Sequence, residues 1–204
     1  MGWDERDISF IPDDEMDAFY ETANAFMAPA NDMVAETDAD EVAAAFFFAC
    51  ARYNAFAMQA QSKDPSAVSP DFIDFLCQRF EVELLEHMAE ELRRAPSDAG
   101  APGDPRRVMA LLQALSERSD AKHDAFMDKA DRFINVANAQ IQNVRVARVS
   151  AAFMHACARF TVFAMQCAGL APGHADRAVA TEFRDLYHRM LQHHLGDQLI
   201  EPNA

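Results

Sequence analysis

The longest apolar stretch of the chain occurs twice. Residues 45–59 recur as residues 152–166, and ten of these fifteen positions are identical without a gap. The same offset of 107 residues relates aromatic positions on either side of the stretch: Phe19 to Phe126, Phe26 to Phe133, and Phe80 to Tyr187. The sequence therefore predicts one structural unit that is written twice.

Around these stretches the apolar positions recur at helical spacing, and no strand-like alternation competes with them. Capping and helix-breaking residues divide each unit into three predicted helices. Gly169 and Gly196 are expected to end the last two helices, and Pro29 is expected to kink the first. The predicted helices cover residues 13–34, 38–61, 70–95, 120–142, 145–168 and 175–195.

A turn-forming segment rich in proline, glycine and aspartate separates the two units. A short helix from Arg106 to about Arg118 follows it and is expected to lie across the junction. We therefore divide the chain into a first three-helix repeat (residues 1–95), a linker with a short helix (residues 96–119) and a second three-helix repeat (residues 120–204).

The central helix of each repeat is apolar around most of its circumference, so other helices have to enclose it. Three helices cannot easily do so alone, whereas two repeats that face each other can cover both central helices. We predict an all-α fold in which two three-helix repeats pack about a pseudo-two-fold axis into one helical bundle, plus a short linker helix. Such a chain is a fused pseudo-dimer, and we expect it to be either a monomer or a homodimer.

The formal net charge of −15 lies entirely in the first repeat. Residues 1–95 hold 21 acidic and 6 basic side chains, whereas residues 96–204 hold 12 of each. Such a surface repels phosphates and anionic lipids, so we expect no nucleic acid and no membrane among the partners. A basic protein partner would be attracted, although an acidic face that only keeps the protein in solution is the simpler explanation.

The first residues lack the basic and apolar regions of a secretory signal. The apolar run from Val42 to Ala51 is about half as long as a bilayer-spanning helix. The four cysteines form no C-x-x-C pattern, which fits a reducing compartment better than a disulfide scaffold. We therefore expect a cytoplasmic protein.

Arg52 and Arg159 occupy equivalent positions on an apolar face of the two central helices. A buried guanidinium needs a partner, because it cannot lose its proton. The expected structural partners are carboxylates of the first helix of each repeat that recur at the same offset: Asp17 with Asp124, and Glu21 with Asp128.

The same two arginines have a functional interpretation, since paired guanidinium groups can hold a small carboxylate or phosphate ligand. The corresponding pocket is predicted between the two central helices. Its expected lining is Arg52, Arg159, Phe56, Phe163, Gln59, Gln166, Met58, Met165 and His155.

Six of the seven histidines lie beyond residue 96. Asp185 and His188 have the one-turn spacing of metal ligands in helical bundles, and His194 lies near them. The central helices supply no inward-facing glutamate to complete such a site, and a histidine near a helix C-terminus also interacts favourably with the helix dipole. His155 replaces Phe48 and is interpreted as a core histidine, because no nucleophile motif surrounds it. We predict no metal, no cofactor and no catalytic residue.

The second repeat carries aromatic, alanine and arginine positions in a pattern that covers most of residues 123–197. These positions are Phe126, Ala130, Asp131, Phe133, Ile134, Ala137, Asn138, Val149, Ser150, Ala152, Ala158, Arg159, Phe160, Phe163, Phe183, Arg184, Tyr187, Met190 and Leu191. On them the repeat resembles a small proteobacterial family of unknown function, whose members are short single-copy helical proteins. The first repeat departs from the pattern at Ala43 and Pro29. The resemblance implies a cytoplasmic bacterial helical protein and no mechanism.

The sequence favours a non-enzymatic interaction or structural protein, because it combines a repeated apolar helix, an acidic first half and no catalytic constellation. The alternative is a small anionic-ligand binder or enzyme with a pocket between the two central helices. A metal-dependent enzyme is the third hypothesis.

Overall fold

The computed structural model describes residues 11–61, 68–94, 123–169 and 177–200. Within these ranges the chain forms six α-helices and a 3-10 turn at Asp13–Glu15, and it forms no strand. The first repeat contains α1, α2 and α3, and the second contains α4, α5 and α6. Their bounds are α1 Met16–Val34, α2 Ala39–Gln61, α3 Pro70–Arg94, α4 His123–Gln140, α5 Val146–Cys167 and α6 Arg177–Ile200.

The helix ends follow the predicted signals, with one clear exception. Gly169 adopts a φ of 75° just after α5, as a glycine at a helix C-terminus commonly does. Gly196 does not end α6, because the helix continues through it to Ile200, so that prediction was wrong. A glycine inside a helix costs only about 1 kcal/mol relative to alanine, and the buried Leu191 and Leu195 hold this part of α6 in the core.

The predicted linker helix lies outside the described residues, as does the N-terminal tail before residue 11. The repeat boundaries drawn in the linker therefore stay predictions. Among the helices that are described, none has an apolar stretch long enough to cross a membrane.

Each central helix is enclosed mainly by helices of the other repeat. α2 packs against α4, α5 and α6, and α5 packs against α1, α2 and α3. Every residue from Val42 to Ala51 is buried, so the apolar circumference of α2 is satisfied by this enclosure. The structure confirms two repeats in one bundle about a pseudo-two-fold axis. It also shows that the repeats are intertwined, since the first and third helices of each cover the central helix of the other.

A row of four buried phenylalanines makes the approximate symmetry visible. Phe26 of α1 stacks on Phe153 of α5 with ring centroids 4.2 Å apart, and the equivalent pair, Phe133 of α4 and Phe46 of α2, stacks at 4.1 Å. Phe46 and Phe153 then meet each other with centroids 5.7 Å apart. All four rings are fully buried, so the row joins both repeats in one core.

A buried polar network departs from this symmetry. Asn54 donates its amide to the hydroxyl of Tyr187 at 2.6 Å and accepts a hydrogen bond from Ser150. Tyr187 also stacks on its counterpart Phe80, with ring centroids 4.8 Å apart. The positions equivalent to Asn54 and Ser150 hold Thr161 and Ala43, so the network is formed once.

Candidate functional site

The two equivalent arginines find partners that differ from those predicted. Arg52 pairs with Asp131 of α4 at 3.2 Å, and Arg159 donates to the side-chain oxygen of Asn24 in α1 at 3.3 Å. Positions 24 and 131 are themselves equivalent, so the two contacts are related by the pseudo-two-fold axis. The prediction that these arginines pair with acidic residues one or two turns earlier was wrong for Asp17, Asp124, Glu21 and Asp128.

The arginines are also not buried as expected. The Arg52 side chain is 41% exposed, and Arg159 is exposed. Each reaches the surface at the edge of a central helix, where solvent reduces the cost of its charge. Water therefore stabilises part of the guanidinium charge that a buried ion pair was predicted to stabilise.

One of the two predicted binding sets lines a surface groove. Arg159, Phe163 and Gln166 lie together in a groove of about 490 Å³ between α1, α3 and α5. Arg52, Phe56 and Gln59 do not line this groove, so it is not the predicted pocket between the two central helices, and that pocket stays a prediction. The matched methionines Met58 and Met165 are buried in the core.

The charges of the groove are partly compensated from within. Arg94 pairs with Glu90 at 2.5 Å and with Glu91 at 2.9 Å. Gln166 donates to Glu91 at 3.0 Å, and this hydrogen bond, together with Arg94, lowers the pKa of Glu91. Arg159 faces the neutral amide of Asn24, whereas Arg52 faces the carboxylate of Asp131.

A cluster of polar side chains adjoins the groove at His87. Glu83 and His87 lie one turn apart on α3, and His155 comes from α5 of the other repeat. Each offers one possible metal-ligand atom, and these atoms all lie within 4.8 Å of one another. His155 Nδ1 lies 2.9 Å from Glu83 Oε2, the two imidazole rings are 4.6 Å apart, and Arg79 pairs with Glu83. Among the described residues, no other group of at least three side chains of this kind was found.

The protonation states of this cluster follow from its burial. Burial lowers the pKa of His87 to about 4, with the charge of His155 acting in the same direction. Burial alone would raise the pKa of Glu83, but the hydrogen bond from His155 and the charge of Arg79 outweigh it and lower that pKa. At neutral pH the cluster therefore combines a neutral His87 imidazole with an ionised Glu83 carboxylate.

Three of the four polar side chains of the cluster have apolar counterparts in the other half of the bundle. His155 corresponds to Phe48, Glu83 to Met190 and Arg79 to Leu186. The counterpart of His87 is His194, whose ring packs on Phe48 with centroids 4.6 Å apart. Of these three residues, only His155 was predicted from the sequence as a site residue, whereas Glu83 and His87 were not. Their i, i+4 spacing on α3 and the exchange of Phe48 for histidine were the signals that could have found them.

The metal ligands considered from the sequence are not brought together. Asp185 accepts a hydrogen bond from its neighbour Arg184 at 2.7 Å, and His188 lies 3.9 Å from Asp74. His194 is buried against Phe48. His194 is therefore not placed to act as a third metal ligand with Asp185 and His188.

A family model described as "Protein of unknown function (DUF3144)" matches the chain twice, at residues 19–92 and at residues 126–199. The two matched segments fall on the two repeats of the fold. No curated protein matches the chain, and no solved structure does.

Proposed function

Because the chain belongs to the DUF3144 family of proteins of unknown function and carries its domain twice, we propose that it binds a small anionic ligand in the groove beside Arg159. One observation carries the proposal: Arg159 contacts the neutral side chain of Asn24, whereas the equivalent Arg52 is paired with Asp131. The duplicated chain thus retains one guanidinium without this carboxylate partner. Carboxylate and phosphate groups are the partners that a guanidinium fork prefers.

The rest of the groove supports the same ligand class. Its volume of about 490 Å³ is within the range of small-molecule sites, roughly 300–1,000 Å³. Arg94 is engaged by Glu90 and Glu91, whereas Arg159 has a hydrogen bond to a neutral amide and acts on Glu91 only through its charge. The 40% exposed ring of Phe163 adds an apolar surface. We infer a ligand with a carboxylate or phosphate group next to a flat or aliphatic part.

Thermal-shift screening against carboxylate and phosphate metabolites tests the proposal. A ligand at about 100 times its dissociation constant stabilises the fold by about 2.7 kcal/mol. Asn24→Asp should abolish this shift, because it gives Arg159 the partner that Arg52 already has. Arg52→Gln is the matched control and should leave the shift unchanged. A screen without any stabilising anion would refute the proposal, as would an equal loss in both variants.

A second function, as an interaction protein for a basic partner, is supported by the surface of the first repeat. Four of the five exposed large hydrophobic side chains among the described residues lie there, on the half that also holds the whole net charge. These are Tyr20, Phe56, Val82 and Leu92, with Phe163 the fifth. An acidic surface with exposed apolar side chains suits a partner with basic and apolar residues.

Crosslinking in native lysate at low salt, with the double variant Phe56→Ser and Leu92→Ser, tests this second function. Both side chains are 52% exposed, so the fold should tolerate the change. Loss of a basic protein that the wild type captures would support the interaction, and identical captured proteins would contradict it.

All four cysteines are free thiols, which supports our proposal of a cytoplasmic location.

A further inference from the structure

The side chains of Glu83, His87 and His155 form a set that suits a divalent transition metal. Two imidazoles and one carboxylate are a common ligand set of zinc and of non-haem iron. Around a zinc ion at about 2.1 Å, tetrahedral ligand atoms stand roughly 3.4 Å apart. Since the three possible ligand atoms already lie within 4.8 Å of one another, small side-chain movements suffice. We propose that Glu83, His87 and His155 bind one zinc ion, or another divalent metal with the same ligand preference.

An unsatisfied nitrogen in the cluster is compatible with a bound metal. His87 is 9% exposed, and its Nε2 is buried without a hydrogen-bond partner in the described part of the chain. A buried polar atom of this kind normally has a partner. A metal ion held by this nitrogen would supply the missing interaction.

Neighbouring groups complete the arrangement expected around such a metal. Arg79 pairs with Glu83, which fixes the orientation of the carboxylate in the way that outer-sphere partners do. Of the three side chains, His87 also lines the groove. Three protein ligands leave the fourth position of a tetrahedral zinc site for water or another ligand. The metal site does not depend on anion binding by Arg159, which uses a different side chain.

The duplicated fold shows that packing does not require a glutamate at position 83 or a histidine at position 155. At the equivalent location Met190 and Phe48 fill the space that Glu83 and His155 occupy, and Phe48 is buried there. A purely structural role for the cluster, as a polar network that fixes the register of α3 and α5, is the competing explanation. It predicts no specific metal stoichiometry.

Titration of the full chain with zinc and with cobalt tests the proposal. The protein should be untagged and freed of metal by a chelator. It should also carry Cys167→Ser, since Cys167 is an exposed thiol that could bind metal by itself. Calorimetry should give one equivalent of zinc per chain. X-ray absorption of the loaded protein should show nitrogen and oxygen ligands, including imidazole, and no sulfur.

The site variants are Glu83→Met and His155→Phe, each of which introduces the residue that the other half of the bundle already accommodates. Each should weaken zinc binding by at least about 100-fold, because it removes a direct ligand, whereas loss of an outer-sphere partner costs 10-fold to 100-fold. His188→Asn, at a partly exposed histidine outside the cluster, is the control and should bind like the parent.

Less than half an equivalent of zinc bound by the parent protein would overturn the proposal. Full binding by His155→Phe, or sulfur ligands in the absorption spectrum, would do the same. The spectrum is measured on the parent protein, so the test stands even if a variant fails to fold. A negative result would leave the Arg159 proposal intact, because the anion screen uses a different measurement and different variants.

Discussion

The row of stacked phenylalanines allows a direct test of the intertwined arrangement. Phe26 of α1 contacts Phe153 of α5 across the two repeats, and Phe133 occupies the equivalent place at the other end of the row. Replacing a fully buried phenylalanine by leucine removes the ring and keeps most of the volume. We expect Phe26→Leu and Phe133→Leu each to lower the free energy of unfolding by roughly 1–2 kcal/mol. A typical total of about 5–15 kcal/mol leaves both variants folded.

Double-mutant cycles then identify the neighbour of each ring. Stacked rings contribute about 0.5–1.5 kcal/mol beyond their buried area, so Phe26→Leu and Phe153→Leu should be coupled by about 1 kcal/mol. Phe26 and Phe133 stand at opposite ends of the row, and their substitutions should be additive within about 0.5 kcal/mol.

Urea unfolding followed by far-UV circular dichroism gives these free energies. The exposed Phe163→Leu serves as a control and should change the free energy of unfolding by less than about 0.5 kcal/mol. Additive effects of Phe26→Leu and Phe153→Leu would refute the packing of α1 on the central helix of the other repeat.

Three further outcomes follow from the buried polar groups. Tyr187→Phe introduces the residue found at the equivalent position 80. It should lower the free energy of unfolding by about 1–2 kcal/mol, because the amide of Asn54 loses its acceptor. Unchanged stability in urea would contradict this. As the pH falls from 6.5 to about 4, unfolding becomes easier by about 3 kcal/mol through His87, since the unfolded chain binds a proton there that the folded chain excludes. Stability curves measured with chelator should be flatter over this range for His87→Gln, and parallel curves would show that another group is responsible. A thiol reagent should modify one cysteine of the native chain, Cys167, and all four cysteines after unfolding. Burial raises the pKa of Cys77 to about 12 and raises the pKa of Cys157 well above its usual value, so these thiols should react slowly in the native chain. Rapid reaction of a second thiol in the native chain would contradict this.

The sequence was sufficient to predict the fold because matched residues of the two repeats are separated by the same number of positions throughout. Matched residues at one constant offset imply equivalent environments, and a helix that is apolar on all sides requires cover from outside its own repeat. Both arguments depend only on the order of residues within each helix. The structure accordingly agrees with the predicted bundle while adding that the repeats are intertwined.

The partners of the arginines could not be predicted in the same way. Several polar residues of α1 lie on neighbouring turns, and the one that meets Arg159 depends on how α1 slides along α5. The stacking of Phe26 on Phe153 belongs to this interhelical register and brings Asn24 rather than Asp17 next to the guanidinium. Patterns within one helix contain no information about that offset.

The polar cluster was missed for a different reason. A search for matched positions selects what the two repeats share, whereas Glu83 and His155 are positions at which they differ. The cluster also joins α3 of one repeat to α5 of the other, which becomes evident only when the crossing is known. Differences between repeats are thus as informative about function as their similarities.

The exchange of covering helices also affects the order of events during synthesis. The helix ending at Gln61 leaves the ribosome early, but the last helix that shelters it ends at Ile200. At about 5–20 residues per second, translation of the intervening chain takes on the order of 10 s. During that interval α2 lacks at least part of the cover that the second repeat provides, so its native packing is complete only after α6 has been made.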